Sequence, residues 1–194
     1  MTYEREFEAG AAVLAVPINA LAAIDVTPPA HPLIAAAARR GQPCRSLKVH
    51  ALTQGVPAGV LAAGWGAPLQ WISAVGELDG AQLLVGFGYD RDCLDPDSTD
   101  SVEEALRAFA PGARVLAVDG HDWNADEFSA GGWGMWRPGW ATDGTLTALN
   151  GLHGRLAYAS SDFAPSWPGW MAGALSSGER AATLVRDRLR SQRL

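Results

Sequence analysis

The chain has 194 residues, 48% of them hydrophobic and 19% charged, which supplies apolar material for a buried core and excludes a disordered segment. A formal net charge of −6 argues against nucleic acid and against anionic membrane surfaces as partners, since both select basic patches. No apolar run reaches the roughly 20 residues that span a bilayer, residues 1–6 lack the basic and apolar regions of a leader, and Cys44 and Cys93 show neither metal nor disulfide spacing, so a cytoplasmic, reducing setting is expected.

Residues 11–16 (AAVLAV) form a continuous apolar run stopped by Pro17, which predicts a buried strand. Residues 17–24 predict a short helix with proline in its first turn, broken at Thr27-Pro28-Pro29. Residues 31–40 have high helix propensity and end at Gly41, a good C-terminal stop. Strand-like stretches at 46–53, 60–64, 69–75 and 82–89 are separated by turn signals at 57–59, 66–68 and 79–80, which predicts an antiparallel meander. Residues 91–100 form an acidic loop without the calcium-loop pattern. Ser101-Val102-Glu103-Glu104 has the form of a capping box opening a helix to Phe109. A strand is expected at 114–119.

Residues 120–144 are rich in Gly, Trp and Pro and predict a long ordered loop, a type that is usually functional. A short helix at 143–149, a strand at 156–159 and a long helix at 168–190 complete the pattern. The predicted class is α+β.

Two biases stand out. There are 8 Trp against 5 Phe and 3 Tyr. Lys48 is the single lysine among 15 basic residues. It is either a survivor of arginine-biased composition or a site that needs a compact ammonium whose pKa can move. The histidines at 31, 50, 121 and 153 lack ligand spacing, so no metal site is expected; His50 shares a strand face with Lys48.

Residues 154–182 run from a strand through a loop into a helix rich in small residues (Met171, Ala172, Gly173, Ala174, Ser176, Ser177, Gly178). Such a face permits close approach to a sheet, another helix or a planar ligand. The helix start offers unpaired N–H groups and a positive dipole end. The stretch Gly154-Arg155-Leu156-Ala157-Tyr158-Ala159-Ser160-Ser161-Asp162, then Trp167-Pro168-Gly169-Trp170-Met171-Ala172-Gly173-Ala174, then Ser177-Gly178-Glu179-Arg180-Ala181-Ala182 resembles the C-terminal flavin-binding segment of the flavin-containing amine oxidases, the superfamily of monoamine, polyamine and L-amino-acid oxidases. Val13-Leu14-Ala15-Val16-Pro17 is similar to the family's strand leading into the substrate domain. Lys48 stands where the family has its active-site lysine. Residues 121–133, followed by Pro138-Gly139, resemble the segment that brings the chain to the flavin.

The resemblance implies an antiparallel substrate-domain sheet with helices, joined to the C-terminal strand–helix piece of a Rossmann-like FAD-binding domain. It assigns residues 1–26 to the terminal strand and crossover of that domain, 27–128 to the substrate-binding portion, and 129–194 to the C-terminal FAD-binding segment. The family's G-x-G-x-x-G βαβ unit, which receives the FAD pyrophosphate, is not in this sequence. The fold is therefore expected to be incomplete without a partner chain carrying that half. A processed fragment and a non-catalytic subunit are the alternatives.

The resemblance implies oxidation of a C–N bond in a small amine or L-amino acid, with hydride transfer to flavin N5, hydrolysis of the imine and reoxidation by O2. It makes Lys48 and Trp170 catalytic, Lys48 through a water near N5 and Trp170 as an aromatic wall. It assigns cofactor contacts to Trp133, Ser160, Ser161, Asp162, Gly169, Trp170, Met171 and Ala174, with the Met171 N–H stabilising charge on the reduced ring. Trp133 stands where monoamine oxidases carry the flavin-linked cysteine. It cannot form that thioether, so the FAD is expected to be non-covalent. Gly134 stands where that subfamily has its second aromatic wall. Ser160, Asp162, Phe163 and Ala172 depart from the family's usual glycine, glutamate, threonine and glutamate.

Overall fold

A computed structural model describes residues 6–191. Residues 1–5, which carry most of the leader reading, lie outside that range. The chain divides into two compact units: Cys44–Trp133, and the flanking segments through Pro43 and from Gly134 onward.

In the flanking unit, β1 (Ala12–Leu14) pairs in parallel with β8 (Leu156–Tyr158), and β8 pairs antiparallel with β7 (Leu152–His153). β1 is shorter than expected and is not buried: Ala12 and Val13 are exposed. The reason is topological. β1 is an edge strand with a partner on one side only among the described residues, so its apolar side chains have nothing to pack against on the other.

After β1 the expected helix at 17–24 is reduced to one 3-10 turn at Leu21–Ala23. α1 (Pro32–Arg40) begins as its sequence indicates, with proline at the first position and Gly41 closing it at positive φ. The His31 ring caps it by accepting from the Leu33 N–H at 3.3 Å. α1 packs with α3 (Thr145–Leu149) around a core of Ile18, Ile34, Trp140, Leu149, Tyr158 and Phe163.

The buried stripe of α4 (Met171–Ser191) runs through Gly173, Ser177 and Ala181 at four-residue spacing: Ala181 packs on Ala157 of β8 and Ala159, Ser177 meets Ser160 in the turn that follows, and Gly173 meets the loop before the helix. The buried small residues thus serve close packing on the strand, turn and loop that precede the helix. A Cβ on Gly173 would stand 2.2 Å from the Trp167 carbonyl oxygen. Arg180 locks the contact by donating to the carbonyls of Asn150 (2.7 Å) and Tyr158 (2.8 Å) and to Ser177 Oγ (3.0 Å).

The second unit is a five-stranded sheet of order β3-β4-β5-β2-β6, formed by β2 (Leu47–Gln54), β3 (Leu61–Ala63), β4 (Trp71–Leu78), β5 (Ala81–Gly88) and β6 (Arg114–Gly120). All pairings are antiparallel. The order is not a plain meander: β2 lies between β5 and β6 and does not pair with β3. Alternation decides the two faces. Leu47, Val49, Ala51 and Thr53 of β2 are buried, and with Ile72 and Leu84 they meet Val102, Ala105 and Leu106 of α2 (Thr99–Leu106). α2 starts three residues earlier than its motif suggests. Ser98, in extended conformation, is the cap, accepting from the Ser101 N–H at 3.2 Å. Glu103 is drawn away from the helix start to accept the Val115 N–H at 3.0 Å.

Residues 121–144 contain turns but no regular helix or strand, as their composition predicts.

Candidate active site

The flanking unit gathers Ser160, Ser161, Asp162, Gly169, Trp170 and Met171 at one corner, where β8 turns into a 3-10 helix (Ser161–Phe163) and then into α4. The turn is built by its own side chains. Ser160 Oγ accepts from the Asp162 N–H at 3.2 Å, the Ser160 N–H donates to Ser177 Oγ at 3.1 Å, and the Gly169 N–H donates to the Ser161 carbonyl at 2.9 Å. Gly169 is required at its φ of 77°, and its backbone crosses close to Gly134.

Asp162 is buried, and its Oδ2 accepts from the Ile18 N–H at 2.9 Å. Burial pushes its carboxyl above the ordinary aspartate range, against the opposing pull of the Ile18 N–H and the Ser160 and Ser161 hydroxyls. Its side chain therefore points inward, to the loop after β1. Phe163, which departs from the family's threonine, is a fully buried core residue.

The start of α4 is open. Trp170 is 66% exposed and Met171 85% exposed, and Ala174 is exposed as well. Among the described residues the N–H groups of Met171, Ala172 and Gly173 donate to no carbonyl; the first intrahelical bond runs from Ala174 to Trp170 at 3.0 Å. Of these, the donors of exposed Met171 and Ala172, at the positive end of a 21-residue helix, make a site for an electron-rich planar group. These residues fit the flavin that the sequence implies.

Gly134 is packed tight. A Cβ there would stand 2.7 Å from Asp162 Cα and 2.8 Å from its Oδ1, so no second aromatic wall can stand at this position without moving the corner. Trp136 does not replace it: half-buried, it donates from Nε1 to the Asp162 carbonyl at 2.9 Å and joins the core around Trp140.

At the end of β8, Tyr158 is 1% exposed, and its hydroxyl finds no partner among the described residues. It lines a cavity bounded also by Ala12, Leu14, Pro28, His31 and Arg155. Burial raises its pKa. Composition and periodicity carried no signal for this residue.

In the second unit Lys48 projects from β2 on the face opposite α2, as alternation requires, and is exposed. His50 lies on the same face. The Lys48 Nζ stands 5.9 Å from the centroid of the Phe87 ring. Trp133 does not face a core; it is 46% exposed and packs on Phe87 at 5.3 Å between centroids. No cluster of metal-ligating side chains occurs among the described residues, and no described helix is long and apolar enough to cross a membrane.

The family model for flavin containing amine oxidoreductases matches residues 1–186. The chain belongs to this family. It is 31% identical over 200 residues to pseudooxynicotine dehydrogenase from a Pseudomonas species, an alignment covering 98% of this chain and 39% of that protein. It is 28% identical over 179 residues to (S)-6-hydroxynicotine oxidase of Paenarthrobacter nicotinovorans, covering 92% of this chain and 42% of the relative. Among solved structures, a triple mutant of putrescine oxidase superposes with a TM-score of 0.78 at 20% identity over 93% of this chain and 43% of its own. Cyclohexylamine oxidase from Brevibacterium oxydans IH-35A gives 0.73 at 22% identity, over 98% of this chain and 45% of its own. The two superpositions establish a shared fold. The chain spans about two fifths of the length of the curated relatives it matches.

Proposed function

We propose that this chain is the substrate-domain and C-terminal flavin-binding portion of an FAD-dependent oxidase of small amines or amino acids, completed by a second chain that carries the G-x-G-x-x-G dinucleotide-binding half. The observation that carries the reading is the open helix start at Met171 and Ala172, whose backbone N–H groups have no partner among the described residues and which stand beside exposed Trp170. Two further features agree with a missing half. β1 has an unpaired edge, and the Tyr158 hydroxyl is buried without an acceptor among the described residues. The substrate in this reading is a compact amine bearing a ring, which relatives named for nicotine derivatives support.

In this reading residues 1–26 and 129–194 serve flavin binding and 27–128 serve the substrate. The bound FAD, held without a covalent link, supplies the acceptor for the hydride that leaves the carbon of the substrate's C–N bond. With FAD bound, the Met171 N–H would donate to the ring and the α4 dipole would stabilise negative charge on it. Gly169, Ala174, Ser160, Ser161 and Asp162 shape the seat, and Trp133 contributes an aromatic surface. Trp170 presents its ring face to the amine. Lys48 holds a water by donating from Nζ and orients it for hydrolysis of the imine or for reoxidation by O2. The reading places the protein in the cytoplasm, in keeping with its two free cysteines, of which Cys93 is exposed.

Co-expression with a neighbouring open reading frame that carries G-x-G-x-x-G tests the proposal. A yellow complex that releases hydrogen peroxide with an amine is expected. A second reading, a non-catalytic subunit, draws on the inward use of Asp162 and Phe163 in place of the family's residues. A colourless complex would establish that one instead.

A further inference from the structure

Lys48, Phe87 and Trp71 form a single row across three strands. Lys48 is the cross-strand partner of Phe87 between β2 and β5, and Trp71 is the partner of Phe87 between β4 and β5. Directly paired residues project to the same face, here the one opposite α2. The Trp71 and Phe87 rings lie 5.2 Å apart at 48°, and the Trp133 ring lies 5.3 Å from Phe87 at 40°. Tilted rings of this kind hold one another in place while leaving edges and faces free. Trp71 and Phe87 remain partly exposed and Trp133 is 46% exposed, although burial in the α2 core was open to residues one position away.

Charge sets what such a row can accept. The Lys48 ammonium forms no ion pair and no side-chain hydrogen bond among the described residues. A second cation brought to these rings would meet an uncompensated like charge. An uncharged planar ring meets none, and a carbonyl, hydroxyl or ring nitrogen on it can accept from Nζ.

We propose that Trp71 and Phe87, braced by Trp133, form a specificity subsite that receives the uncharged planar ring of an aryl- or heteroaryl-alkyl amine and disfavours aliphatic diamines. The proposal deepens the functional reading above and rests on it.

The test compares the flavin-loaded complex with its Phe87→Leu and Trp71→Leu variants, using phenethylamine, n-hexylamine and 1,4-diaminobutane as substrates. Loss of a ring contact predicts about a tenfold fall in kcat/KM for phenethylamine and less than about threefold for n-hexylamine, with flavin content unchanged. In the unmodified complex the diamine is the poorest of the three. Equal losses for phenethylamine and n-hexylamine, with flavin retained and turnover measurable, overturn the subsite while leaving the oxidase reading intact. Absence of flavin or of turnover with every amine overturns both. If one variant fails to bind flavin, the other decides, because Trp71 and Phe87 stand on different strands.

Discussion

Asp162 accepts the backbone N–H of Ile18 at 2.9 Å, a single bond joining residues 144 positions apart. It ties the loop after β1 to the turn after β8, both at the C-terminal end of the parallel pair. Removing the acceptor with Asp162→Ala leaves a buried N–H unpaired and is expected to cost about 1–3 kcal/mol. Asp162→Asn keeps an acceptor oxygen and removes the buried charge, so its cost is smaller. The pH dependence separates them. The folded-state pKa of Asp162 is raised, so between the ordinary aspartate value and that raised value the native state binds more protons than the unfolded chain. Its contribution to stability therefore declines as pH rises through that interval and is constant above it. Urea titrations across this range should show the decline in the unmodified protein and its loss in Asp162→Asn.

Gly173 and Gly134 are the two positions where the corner has no room. Gly173→Ala drives a Cβ into the Trp167 carbonyl, and Gly134→Ala drives one into Asp162. Each is expected to destabilise by about 1–3 kcal/mol through overpacking, read as a lowered denaturant midpoint. Restoring an aromatic wall with Gly134→Tyr should therefore lose flavin rather than improve turnover, which the absorbance ratio of flavin to protein measures.

Arg180 carries α4 on β8. Arg180→Met removes three hydrogen bonds and strands the carbonyls of Asn150 and Tyr158. A loss of about 2–4 kcal/mol is expected, from one charged donor group and the unpaired acceptors it leaves. Arg180→Lys should recover only part of it, because an ammonium cannot reproduce the planar fork. Thermal unfolding of both variants checks the order.

Lys48→Met should retain flavin and fold while lowering turnover by on the order of a hundredfold, the range for removing a positioned proton-handling group. Stopped-flow separation of reduction from reoxidation identifies the step affected. An unchanged rate in both steps would reduce Lys48 to a residue of the exposed sheet face.

Glu103 accepts the Val115 N–H, and that bond, helped by Arg107, holds its carboxyl below the ordinary glutamate range. The contribution is present above the unfolded glutamate pKa and is lost as pH falls through the folded one. Glu103→Gln should flatten the acid limb of stability, seen in denaturant midpoints between neutral pH and about pH 3.

Local sequence determined the elements of this protein. α1 is readable from Pro32 and Gly41, α4 from its propensity after Pro168, and the outward face of Lys48 from alternation along β2, because helices and strands answer to residues a few positions away. The corner where β8 turns into α4 was legible as a family motif, since its order along residues 154–182 is kept. Tertiary structure alone decided what pairs across long separations. It set β2 between β5 and β6, left Ala12 and Val13 at an open edge, and sent Asp162 to Ile18. It also sorted tryptophans of one loop, burying Trp140, lodging Trp136 against Asp162 and setting Trp133 on Phe87. Loop residues carry no periodicity to state a direction, so their partners follow from which surfaces remain to be covered once the strands have paired.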